Sequence, residues 1–112
     1  MLIAIASDQK KVAQHFGHCE AFECFSVEEG LVKEWKTIPN PGHQPGFLPN
    51  FLHEQGVATI IAGGMGQSAA NIFERNGIQV ICGASGSIAD VAEAYVRGNL
   101  NSGGSFCEEH NH

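Results

Sequence analysis

Between Val57 and Arg97 the chain runs twice through one rhythm of apolar run, glycine-rich turn and helical period. Val57 to Ala62 reads as a buried strand, Gly63-Gly64-Met65-Gly66 as a turn, and Ser68 to Asn76 as a helix. Ile78 to Cys82 then reads as a strand, Gly83-Ala84-Ser85-Gly86 as a turn, and Ser87 to Arg97 as a helix, with Ser87 as N-cap and Asp90 three residues later. Two successive strand–helix units demand parallel strands joined by right-handed crossovers, which commits the chain to a sheet covered by helices. With 112 residues there is room for one such core and not for two.

The rest of the chain must fit around that frame. Leu2 to Ala6 is continuously apolar, as suits a central strand buried on both faces. Ser7 to His18 reads as a polar loop. Ala21 to Val27 and Leu31 to Ile38, joined at Glu28-Glu29-Gly30, predict an antiparallel hairpin whose second arm alternates imperfectly, as a strand nearer the sheet's edge does. Three prolines and two glycines between Pro39 and Gly46 predict a loop. Phe47 to Gln55 has helical spacing, with Pro49 tolerable in the first turn and Gly56 as the stop. The fold class is α/β. Residues 1–98 form the expected domain, and 99–112, without apolar period, an expected flexible tail carrying Cys and His.

Charge narrows the partners. Six basic against twelve acidic side chains give a net charge of -6, and no basic run exceeds Lys10-Lys11. Nucleic acid and anionic membrane therefore make poor partners, since both need a concentrated basic face. No segment has the length of a signal peptide or membrane span, so a cytoplasmic location is expected. In that reducing compartment the four cysteines read as free thiols and not as a disulfide framework.

Parallel strands send their C-terminal turns to one edge of the sheet, where ligands of open α/β folds bind. If the first strand runs parallel to the last two, the Ser7–Cys19 loop and both glycine turns open onto that edge. Gly64, Gly66, Gly83 and Gly86 would let backbone N–H groups approach an anion at two helix N-termini; alternatively, they simply make tight turns. Gly64-Met65-Gly66-Gln67-Ser68-Ala69 matches a dinucleotide fingerprint, but it follows the wrong strand and lacks the acidic residue that should close the next one. A nuclease needs several converging carboxylates, and only Asp8 lies near the edge.

His15-Phe16-Gly17-His18-Cys19 packs two imidazoles and a thiol into five residues, a density that suits a soft or borderline metal. The plainer reading is a loop held by its own hydrogen bonds. Cys82 ends a strand at the same edge, and Cys107, His110 and His112 supply further ligand types from the tail. Met65 offers a thioether, although such a methionine commonly packs beneath the helix. Cys24, alternating with Phe22, reads as core, and His43 and His53 as solvated.

These residues carry a family resemblance. Ile3-Ala4-Ile5-Ala6-Ser7, Gln14 through Cys19, Asn40-Pro41, Gly63-Gly64-Met65-Gly66, Gly77-Ile78 and Tyr95 to Leu100 together resemble the dinitrogenase iron-molybdenum cofactor biosynthesis family, a small NifX-like domain also found at the C-terminus of NifB-type proteins. The resemblance covers nearly all of the chain before the tail. It implies a ribonuclease H-like three-layer fold with a five-stranded mixed sheet. It also implies that His15 contacts an anionic iron–sulfur or molybdenum/iron–sulfur cluster, held transiently for donor and acceptor proteins and without catalysis. A permanent cluster would want four well-spaced cysteines, and the chain has no C-x-x-C. The rival expectation is a regulatory or interaction domain of the same fold that binds no cluster.

Overall fold

The computed structural model describes residues 1–42, 47–98 and 100. Its centre is the first apolar run, β1 (Leu2–Asp8), buried from Ile3 through Ser7. β1 pairs antiparallel with β3 (Ala21–Glu28) on one side and parallel with β5 (Val57–Ile61) on the other. β3 continues outward to β4 (Leu31–Pro39), antiparallel, and β5 to β6 (Gln79–Ile81), parallel. The order across the sheet is thus β4-β3-β1-β5-β6. The hairpin, the parallel pairs, the central first strand and the edge position of the second hairpin arm all match the pattern read from sequence.

The strand count differs. Ser7 to His18 is not wholly loop: β2 (Lys11–Val12) folds back on the end of β1, pairing Ser7 with Val12 and Asp8 with Lys11, so the sheet has six strands and not five. Gln9 and Lys10 make that turn with φ of 52° and 68°. Such left-handed turns are normally announced by Asn-Gly or Asp-Gly, and a Gln-Lys pair gives no signal.

Helices cover both faces. α1 (Phe47–Glu54) and α2 (Gln67–Arg75) bury Leu48, Leu52 and Phe73 against Ala4, Ala6, Phe22, Cys24 and Ile60. α3 (Ile88–Val96) buries Ile88, Val91 and Ala92 against Ile3, Ile5, Phe25, Ile61 and Ile81 on the opposite face. Alternation along β1 supplies both cores from one strand. Pro49 lies in the first turn of α1, where its missing N–H costs nothing, and Gly56 follows the helix with φ 89°. No helix among the described residues is long and apolar enough to cross a membrane.

The aromatic cluster connects this core to the loop after β2. A single 3-10 turn, Phe16–His18, drops the buried Phe16 ring onto Phe22 at 5.7 Å and edge-on to Phe73 at 5.3 Å. Phe73 is fully buried, so Phe73→Ala removes a ring that three elements share. We expect a loss of about 3–5 kcal/mol of unfolding free energy in urea denaturation.

Candidate functional site

The C-terminal ends of β1, β5 and β6 lie on one edge of the sheet, and backbone hydrogen bonds sew the loops leaving them together. Ala13 N–H donates to Ala6 O (2.8 Å), Gly63 N–H to Ala13 O (2.9 Å), Phe16 N–H to Gly64 O (3.0 Å) and Gly83 N–H to Gly63 O (2.9 Å). Val12 N–H donates to Gly86 O (2.9 Å) and Ile88 N–H to Lys10 O (3.1 Å). The first loop is therefore bonded to both glycine turns.

Glycine is required at the closest approach. A Cβ on Gly63 would stand 2.9 Å from both Ala13 O and Gln14 Cα, and one on Gly64 would stand 3.0 Å from Gln14 O, all backbone atoms. Gly66 has open space around it and a φ of -69°. Its value lies elsewhere: as N-cap of α2 it gives no side-chain cap, and the first turn carries no acidic residue. Gly66, Gln67 and Ser68 are exposed, so this helix presents its positive end to solvent.

The second turn is built differently. Ser87 Oγ accepts from Asp90 N–H at 3.1 Å, and Asp90 places a carboxylate in the first turn of α3. Gly83 N–H and Ala84 N–H are already bonded to Gly63 O and Ala62 O, and Gly86 O to Val12 N–H. The turn of Gly83 and Gly86 thus serves the scaffold, with φ of 84° and 101° explaining the glycines. Of the two turns expected to face an anion, the one preceding α2 is the open one.

His15 is exposed, in extended backbone (φ -128°, ψ 115°) immediately before the 3-10 turn. Its neighbour Phe16 is anchored in the core and bonded to Gly64, so the imidazole is carried on a fixed backbone beside the α2 turn. His18 is also exposed and closes that turn, its N–H donating to His15 O at 3.2 Å. Cys19 is only 4% exposed, and burial pushes its thiol from 9.0 up to about 11, with Asp8 adding to the rise and hydrogen bonding from Ser7 and Asn40 opposing it. Cys24 is likewise buried and pushed up to about 11, chiefly by burial. Both are free thiols, protonated at neutral pH.

Cys82 lies just after β6 at 5% exposure and is disulfide-bonded, so the reading of every cysteine as a free thiol fails there. In that state its sulfur is no thiolate ligand. Met65 is 5% exposed and belongs to the α1/α2 core, where its thioether packs and does not face the edge. His53 is exposed, as expected. Cys107, His110, His112 and His43 lie outside the described residues. Among the described residues no three His, Cys, Asp or Glu side chains gather as a ready metal-binding group.

One residue at this edge escaped the sequence reading. Asn40, just after β4, donates from Nδ2 to Cys19 O at 2.8 Å and to Cys19 Sγ at 3.8 Å, accepts from Gly42 N–H at 3.0 Å, and donates its own N–H to Glu20 O at 3.1 Å. It clamps the loop after β4 onto the loop after β2. The Asn40-Pro41 pair was the available signal, but nothing in the sequence says which loop the amide will reach.

These features define a small α/β domain with an open loop edge. A family model for dinitrogenase iron-molybdenum cofactor proteins matches residues 1–98, and the chain belongs to that family. MJ0580 of Methanocaldococcus jannaschii is 30% identical over 105 residues, covering 89% of each chain. The crystal structure of PH0822 superposes with a TM-score of 0.85 at 32% identity, covering 90% of this chain and 93% of that one. MJ0327 of Methanocaldococcus jannaschii, described as a proposed dinitrogenase, shares the fold with a TM-score of 0.74 at 22% identity, covering 90% and 92%.

Two tests follow from the geometry. Gly63→Ala forces backbone apart and is expected to cost about 1–3 kcal/mol in chemical denaturation, whereas Gly66→Ala should be nearly neutral. The folded protein holds the Cys19 and Cys24 protons more tightly than the unfolded chain, so their contribution is complete below pH 9 and is lost as pH rises through about 11. Each thiol accounts for at most roughly 2–3 kcal/mol. Stability measured from pH 8 to 11 should therefore fall less steeply in Cys24→Ala than in the natural chain.

Proposed function

We propose that this chain is a non-catalytic carrier or scaffold that holds an anionic metal–sulfur cluster as transient cargo during cofactor biosynthesis or trafficking. The observation that carries the proposal is the exposed His15, fixed by Phe16 beside a helix N-terminus that lacks both a side-chain cap and an acidic residue. An imidazole would ligate metal while the free amides of α2 stabilise bridging or terminal sulfides. Membership of the iron-molybdenum cofactor family supports an iron–sulfur or iron–molybdenum precursor as that cargo. The strand order supports a ribonuclease H-like description of the fold.

Transient holding fits the donor set. Cys19 becomes a good ligand only if its loop opens and its thiol loses a proton, which costs free energy at neutral pH. A site with one ready ligand releases its cargo to the next protein more easily than a four-cysteine cage does. Cluster donor and acceptor proteins in the cytoplasm are accordingly the proposed partners.

Anaerobic purification with metal and sulfide analysis, followed by visible spectra before and after a cluster is offered, tests this reading. The natural chain should gain cluster absorbance and His53→Ala should match it. His15→Ala should retain cluster at least about tenfold more weakly, the effect of losing roughly 1.4 kcal/mol. Featureless spectra for the natural chain would leave the interaction domain without a cluster as the correct reading, and equal retention by both variants would remove His15 from the site.

A further inference from the structure

Among the described residues the sheet ends at β4, with nine residues of backbone paired on one side only, about 30 Å of edge. The opposite edge, β6, has only three residues. β4 is exposed almost throughout and holds Leu31 (58% exposed), Val32 (41%) and Trp35 (44%), three of the five large hydrophobic side chains exposed among the described residues. Trp35 stacks on Phe25 with ring centroids 5.2 Å apart and donates from Nε1 to Glu23 Oε1 at 2.8 Å. The indole is thus held in place with its outer flank in water. Proteins usually protect such an edge, because it templates pairing with another strand.

We infer that β4 is the interface of a symmetric dimer, in which a second copy of this chain adds its own β4 antiparallel across a two-fold axis perpendicular to the sheet. The charge pattern selects the partner and the register. Directly opposed residues must share a face, so the axis has to pass through a residue that meets its own mate. An axis through Lys33, Glu34 or Lys36 sets like charges face to face, and one through Thr37 sets Lys36 against Ile38. An axis through Trp35 sets Glu34 against Lys36 on both sides and the two indoles against each other. Only this register joins opposite charges without opposing like ones.

The lysines that protect the edge from unrelated strands therefore fit this one arrangement. The ladder to β3 is irregular at Ser26/Val27, which bends β4 below Glu34 and confines the new ladder to the segment around Trp35. A short ladder makes the association weak and concentration-dependent. Antiparallel addition also turns the two loop edges to opposite ends of the joined sheet, so both candidate sites remain open.

Trp35 is the only tryptophan, and its emission reports directly on the interface. Sedimentation equilibrium and tryptophan fluorescence over about 5–500 µM should show the mass rising from monomer towards dimer as emission shifts to the blue, a range that suits dissociation constants weaker than micromolar. Glu34→Lys and Lys36→Glu, both exposed positions, should each stay monomeric with an unchanged circular dichroism spectrum. An equimolar mixture of the two variants, or the double charge swap in one chain, should associate again, because every Glu–Lys pair is then restored. A monomer across the whole range, or association indifferent to the single reversals, overturns the inference.

Discussion

Everything at the loop edge depends on one close backbone approach at Gly63. Its N–H is bonded to Ala13 O and its carbonyl to Gly83 N–H, so this single residue bridges the loop after β2 and the turn after β6. The absence of a side chain lets the first loop lie within van der Waals contact of the second. Without that approach Phe16 could not both bond to Gly64 and reach Phe22 and Phe73 in the core. His15 owes its fixed position to this chain of dependence and not to any bond of its own side chain.

The two glycine turns look alike in sequence and do opposite work. The turn before α3 is closed by its own residues: Ser87 caps the helix, Asp90 answers its dipole, and the backbone groups of Gly83, Ala84 and Gly86 are paired with neighbouring loops. The turn before α2 is also paired with its neighbours at Gly63 and Gly64, but it has neither a side-chain cap nor an acidic residue, and it leaves the positive end of a nine-residue helix in solvent. In the carrier role proposed above, that exposed helix end is where an anionic cargo would approach a chain of net charge -6.

Much of the architecture was legible because periodicity reports burial directly. Two parallel strand–helix units, a central Leu2–Ala6 strand and an edge-ward Leu31–Ile38 strand each follow from where apolar residues fall. β2 was not legible, since Gln9 and Lys10 reach left-handed conformations through the pairing of the strands they join. At the site, His15 and the Gly63–Gly66 turn could be picked out by residue type and spacing. The clamp by Asn40 and the burial of Cys19 could not, because each depends on groups remote in sequence.

By itself the sequence determined the α/β class, the parallel units, the acidic balance and membership of a family whose motifs run through the first strand, the loops and the last helix. These are local or additive properties, set by the order of side chains along the chain. The tertiary structure alone decided which helix N-terminus stays open, that Cys19 is withdrawn into the core, and that the loop after β1 adds a sixth strand. Those outcomes depend on the competition between hydrogen-bond partners and on desolvation, and neither has a value until distant segments have met.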